Sequence, residues 1–328
     1  MKRLAVALMA CLALAFVCMK PAAAYPYYAQ MNYDSPREAT GKIVCANCHL
    51  AQMPIQVELP QAVTPGQIFN VGINIPYDLS KQQLIGDGTP AGLNVGAVVI
   101  LPEGFRLASE AEMSAEQREA MEGVYITPYS DDQPNILLAG PLPGEEYQNL
   151  EFPVVAPDPA QDPSTTFMKY LVYAGGNRGR GQLNPDGSMT NNNVFRAPAT
   201  GTIDQVLTLE DPFSDLPVEL EPLVKSEDLV YPNTRVLTFT TDAGLKALVI
   251  PPGPELLVSA GESVEEGQAL TNYPNVGGFG QVERELVLQS PTRIKWLLAF
   301  LGASLLAQIM LVLKKKQVEQ IQAAELLG

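Results

Sequence analysis

The chain has 328 residues and a formal net charge of -15, with 28 prolines and 26 glycines, 46% hydrophobic side chains and only 17% charged ones. That length suits about two domains, and so many chain-turning residues favour short strands over long helices. The acidic balance excludes a nucleic-acid partner, because phosphate binding needs a basic surface.

Met1–Ala24 has the layout of a secretory signal peptide. Lys2 and Arg3 form its charged start, Leu4 to Val17 its apolar stretch, and Ala22-Ala23-Ala24 its small-residue cleavage site before Tyr25. Cys11 and Cys18 would be lost with it, and the mature chain would start in an oxidising, exported compartment. Tyr25–Ser35 is aromatic and turn-rich, and Pro36 to Leu50 predicts a short helix carrying Cys45-Ala46-Asn47-Cys48-His49. This C-x-x-C-H spacing is the attachment pattern of a c-type haem. Two cysteines three apart can each form a thioether to a haem vinyl group, and the histidine beside the second then lies under the ring, where its imidazole binds iron. His49 is the only histidine, and Cys45 and Cys48 are the only cysteines beyond the first 24 residues. A structural zinc site needs about four ligands, and no second pair exists. A thioredoxin-like motif would lie near a βαβ pattern, and none follows. The remaining alternative is an ordinary disulfide between the two cysteines.

Beyond this motif the pattern turns to strands, predicted at 68–75, 95–101, 135–139, 151–155 and 167–173. One soluble helix is predicted at Ser114–Glu122, with Ser114 and Gln117 spaced as a capping box. Gly175-Gly176-Asn177-Arg178-Gly179-Arg180-Gly181 has the glycine content of a phosphate loop, but a turn, Asn184-Pro185-Asp186-Gly187, follows where such a loop would open a helix. Further strands are predicted at 203–209, 236–241 and 247–250, around an acidic, proline-punctuated insert, Glu210–Asp228. Gly261–Gly267 has the turn rhythm of lipoyl-type β modules, although Lys246 lacks the flanks of a modified lysine. Many short strands with few helices indicate a β-sandwich.

Trp296–Leu313 is uncharged and as a helix would extend about 27 Å, close to one bilayer core. Lys314-Lys315-Lys316 follows, which places the C-terminus on the cytoplasmic (or stromal) side and the N-terminal bulk across the membrane. The tail 317–328 is predicted as a short polar helix at the membrane surface. Residues 25–292 carry 13 basic and 34 acidic side chains, a net of -21. Such a surface repels acidic proteins and steers basic ones.

Several blocks are long and specific: Tyr25-Pro26, Pro36–Leu50, Leu93–Val98, Leu101–Phe105, Gly175–Gln182, Pro185–Ser188, Asn191–Val194, Pro251–Val258 and Pro274–Gln281. In these the chain resembles the cytochrome f family, the haem subunits of the cytochrome b6f complex of oxygenic photosynthesis, over nearly its whole length. The resemblance implies a mainly β, elongated two-domain lumenal part with one C-terminal transmembrane helix. The large haem-binding β domain would comprise 25–192 and 276–290, and the small β domain 193–275. The transmembrane helix would be 294–313 and the cytoplasmic tail 314–328. One haem c would be held covalently by Cys45 and Cys48. Its iron would be bound by His49 and by the α-amino nitrogen of the mature N-terminus, Tyr25. A buried water chain would be lined by Gln83, Asn177, Gln182, Asn192 and Asn275. Electrons would come from the Rieske iron–sulfur protein and leave to plastocyanin or a small soluble c-type cytochrome, at the thylakoid membrane, with an electron carrier's role and no catalytic residues. Lys81-Gln82-Gln83-Leu84-Ile85-Gly86-Asp87-Gly88-Thr89-Pro90 holds one lysine where the plant proteins carry a lysine-rich docking patch, and the acidic insert is longer than theirs. Both departures fit a cyanobacterial source. A haem enzyme or sensor, which needs an open sixth coordination position, and a cofactor-free membrane-anchored β protein are the competing functions.

Overall fold

The computed structural model describes residues 27–211, 216–217, 219–224, 229 and 231–327. The expected signal peptide, Tyr25 and parts of the acidic insert lie outside the described residues. Helix α1 (Tyr27–Asn32) is followed by a 3-10 turn at Val44–Asn47. Next come β1 (Gln56–Glu58), β2 (Ala62–Val63), β3 (Ile68–Asn74), β4 (Gln83–Leu84), β5 (Pro90–Ala91), β6 (Asn94–Ile100) and β7 (Arg106–Leu107). Helix α2 (Ala115–Ala120) precedes β8 (Ile126–Pro128), β9 (Ile136–Pro143), β10 (Asn149–Val155) and β11 (Lys169–Arg178). The chain continues through β12 (Gly201–Leu209), β13 (Thr234–Thr241), β14 (Gly244–Ile250), β15 (Ser263–Val264) and β16 (Gly278–Leu288), and ends in helix α3 (Pro291–Leu327).

The fold is mainly β, as the turn-rich composition predicts. A six-stranded sheet, β2-β16-β11-β6-β9-β8, faces a four-stranded one, β1-β3-β10-β7. The alternation on β3 shows why they pack. Phe69, Val71 and Ile73 are buried while the residues between them are only partly so, because successive side chains point to opposite faces of a strand. They meet Leu150, Phe152 and Val154 of β10 and, from the facing sheet, Val99, Leu137, Val172 and Leu286 in one core. A separate four-stranded sheet, β14-β13-β12-β15, packs a second core around Ile203, Leu237, Phe239 and Leu270. Asn191 joins the two regions. Its Nδ2 donates to Ile85 O in the β4-β5 hairpin and to Pro252 O beyond β14, and its Oδ1 accepts from Arg180.

Ser114 caps α2, with both bonds of the capping box to Gln117 present. The helix predicted between Pro36 and Leu50 is instead one 3-10 turn of four residues. The polar tail is no separate helix, since α3 runs unbroken from Pro291 through the three lysines to Leu327. Its apolar stretch is long enough to cross a membrane and none of it is buried against the protein. The longest strand, β16, was not predicted. A Cβ on Gly277, Gly278 or Gly280 would lie 2.1 Å from Arg178 O, 2.7 Å from Ala51 O and 2.1 Å from Met53 O respectively. These glycines admit neighbouring backbone rather than turn the chain.

Candidate functional site

The C-x-x-C-H segment is short and local, so its position depends on what it is tied to. Within it, the His49 and Cys48 amides donate to Cys45 O at 3.0 and 3.3 Å, which curls both cysteines and the histidine around one turn. The chain after His49 then runs along the edge of β16. Phe279 N donates to Ala51 O at 2.8 Å and Met53 N to Phe279 O at 3.0 Å. Glycines at 278 and 280 make this approach possible. On the other side the Gln182 side-chain oxygen accepts from the amides of Leu50 and Ala51, while the Gln182 backbone N–H donates to Cys48 O at 2.8 Å. The approach to the motif is fixed by Gln281, which accepts from Ile43 N and donates to Gly41 O.

His49 faces a cavity of about 980 Å³ whose walls include Ala46, Leu50, Met53, Pro54 and Phe279. Its Nδ1 is buried without a hydrogen-bond partner in the protein, and burial pushes the imidazole pKa down to about 4. The ring is therefore neutral, the form that binds a metal. Cys45 and Cys48 are free rather than joined, so the disulfide alternative finds no support. Burial pushes the Cys45 thiol up to about 11 and raises that of Cys48. Two unjoined thiols and a neutral imidazole beside a roomy cavity of mixed polar and apolar lining are a donor set that fits a c-type haem. Among the described residues there is no cluster of three or more His, Cys, Asp or Glu side chains that would hold a metal ion directly.

The five polar residues singled out from the sequence all converge on the loop Gly179–Gln182. Asn177 Nδ2 donates to Gly179 O, Gln83 Oε1 accepts from Arg180 N, and Asn192 Nδ2 donates to Arg180 O. Asn275 Oδ1 accepts from both Gln182 Nε2 and Asn192 Nδ2, at 3.1 and 2.8 Å. Asn177 Oδ1 is buried and, like His49 Nδ1, unpartnered. Sequence reasoning missed Asn47, the second variable residue of the motif. Its Nδ2 donates to Tyr33 Oη and Glu38 Oε1, and its Oδ1 accepts from Lys42. The Asn47 bond is the first cause holding the Glu38 carboxyl below its usual pKa. Nothing in the spacing of the motif shows this, because its partners lie up to 14 residues upstream.

The chain matches the family described as Apocytochrome F, N-terminal, over residues 25–179, and Apocytochrome F, C-terminal, over residues 191–327. The chain belongs to the cytochrome f family. It is 67% identical to cytochrome f of Synechococcus sp. (strain JA-3-3Ab), with the whole of both chains covered. It is 54% identical to that of Thermosynechococcus vestitus, over 93% of this chain and 92% of that one. It is 50% identical to that of Mastigocladus laminosus, over 93% of this chain and 87% of that one. As a member of the cytochrome f family it is a c-type cytochrome and an electron carrier in photosynthetic electron transfer, and it belongs to the cytochrome b6f complex of the thylakoid membrane.

Proposed function

We propose that the chain holds one haem c through thioethers from Cys45 and Cys48. His49 would bind one face of the iron, and the α-amino nitrogen of a mature N-terminus at Tyr25 the other. The observation that carries this reading is the set of two free thiols and, one residue on, a buried neutral imidazole that lines a roomy cavity. When bound, the haem supplies a one-electron couple. The protein's part is attachment, orientation and partial exclusion of water. Cleavage after Ala24 matters chemically, since a peptide nitrogen gives its lone pair to the carbonyl, whereas a free α-amino group has an ordinary pKa of about 7.7–8.0.

The polar cluster around Gly179–Gln182 is the proposed lining of a buried water chain. Two kinds of orphaned atom, an imidazole nitrogen and an amide oxygen, are of the sort that buried water satisfies. The donor is the Rieske iron–sulfur protein, and the acceptor is plastocyanin or a small soluble c-type cytochrome. The lysines at 314–316 support a cytoplasmic C-terminus with the bulk of the chain in the lumen. We assign 25–192 with 276–290 to a large domain and 193–275 to a small one. The reading is supported by the pairing of β16 with β11 along ten residue pairs. Cys45→Ala and Cys48→Ala test the attachment. Each should weaken haem retention in denaturing electrophoresis with haem staining, and full staining of the double variant would refute the site.

A further inference from the structure

Helix α1 is the element nearest in sequence to the mature N-terminus, and it has six residues. A helix this short is not stable by itself, because nucleation is unfavourable and few bonds follow. Where it lies must therefore come from what it touches. One buried side chain dominates. Tyr129, 4% exposed, directs its hydroxyl between Ala29 O at 2.7 Å and Tyr33 O at 2.6 Å. These carbonyls belong to the last turn and exit of α1, and Ala29 O also accepts from Tyr33 N at 3.0 Å. The contact is returned: Gln30 Nε2, on α1, donates to Tyr129 O at 2.7 Å. The ring of Tyr129 also packs in a cluster with Ile43 and Phe279, against which Ala29, Cys45 and Ala46 lie. The same cluster therefore joins α1 to the haem-attachment turn. Burial pushes its phenol pKa up to about 12, so it keeps its proton and remains a donor. At the exit of α1 Tyr33 adds a further link, accepting from Asn47 within the motif.

We propose that Tyr129 and Gln30 are positioning residues: their reciprocal hydrogen bonds hold α1 against the Cys45 turn at a fixed place, and so aim the mature N-terminus at the haem iron. The proposal rests on the reading above that the N-terminal amine is an axial ligand. Neither residue touches the iron. Their role is to keep the amine close enough to compete with other ligands, which a loosely tethered N-terminus does poorly.

The test uses purified, membrane-extracted mature protein carrying Tyr129→Phe or Gln30→Ala, with cyanide as a probe ligand for the oxidised haem. Tyr129→Phe removes one hydroxyl and leaves the ring, and Gln30→Ala removes the return bond from a partly exposed position. Haem staining should persist in both, because Cys45 and Cys48 are intact. Apparent cyanide affinity should rise by roughly three- to tenfold in Tyr129→Phe, the equilibrium worth of one ordinary hydrogen bond, and in the same direction in Gln30→Ala. Wild-type cyanide affinity in both variants, even with a lowered unfolding midpoint, would overturn the clamp and leave only a structural contact. A chain whose cleavage is blocked separates the two readings. It should bind cyanide readily whether or not Tyr129 is present. Native-like resistance to cyanide in that uncleaved chain would overturn the amine assignment, and the clamp's purpose with it.

Discussion

Gly280→Ala should loosen the haem site through backbone contact alone. The added Cβ would lie 2.1 Å from Met53 O and 3.1 Å from Ile55 N, and the nearer atom is main chain, which cannot swing aside as a flexible side chain does. Ordinary carbon–oxygen contact is more than about 3 Å, so the 51–55 segment must retreat from β16 by about 1 Å. That displacement strains or breaks the two bonds that dock it, Phe279 N to Ala51 O and Met53 N to Phe279 O. At about 1 kcal/mol each, with about 1–3 kcal/mol for overpacking, the expected destabilisation is about 3–5 kcal/mol. Gly72→Ala is the internal comparison. Its Cβ would meet only Glu151 Oε1, at 3.2 Å, the far end of a side chain that can move, so it should cost less than about 1 kcal/mol. Denaturant unfolding of the two variants measures the difference, and the haem absorption spectrum shows whether the site moved with it. If Gly280→Ala unfolds within 1 kcal/mol of Gly72→Ala and its spectrum is unchanged, the docking of 51–55 on β16 does not set the position of His49.

Blocking signal cleavage with bulky residues at Ala22 and Ala24 should leave haem attached but remove the low-spin spectrum, since a peptide nitrogen is a poor ligand; an unchanged low-spin spectrum would instead point to a methionine. The net of -21 on residues 25–292 should slow association with an acidic acceptor relative to a basic one at low salt. The gap should close as the screening length falls to about 10 Å at 0.1 M. Stopped-flow rates with an acidic plastocyanin that drop steeply as salt is added would contradict this, because that is the signature of attraction.

The sequence by itself determined what is local. The C-x-x-C-H spacing, the lone histidine, the capping box at Ser114 and the uncharged run after Trp296 are each carried by a few neighbouring residues. Period-two alternation likewise marks the strand around residues 68–75, because β3 buries one face, whereas those around 95–101 and 151–155 are bounded by turn residues and bury consecutive side chains. Tertiary structure alone decided β16. Its glycines carry no hydrophobic pattern in that stretch and serve to admit the backbone of Ala51 and Met53, a fact visible only when both strands are present. The same holds at the site. Gln182 reaches Leu50 across 132 residues, and Tyr129 reaches Ala29 across 100. A hydrogen bond depends on distance and direction in space, and a tyrosine in a turn-rich segment looks the same in sequence whether its hydroxyl meets water or closes a helix.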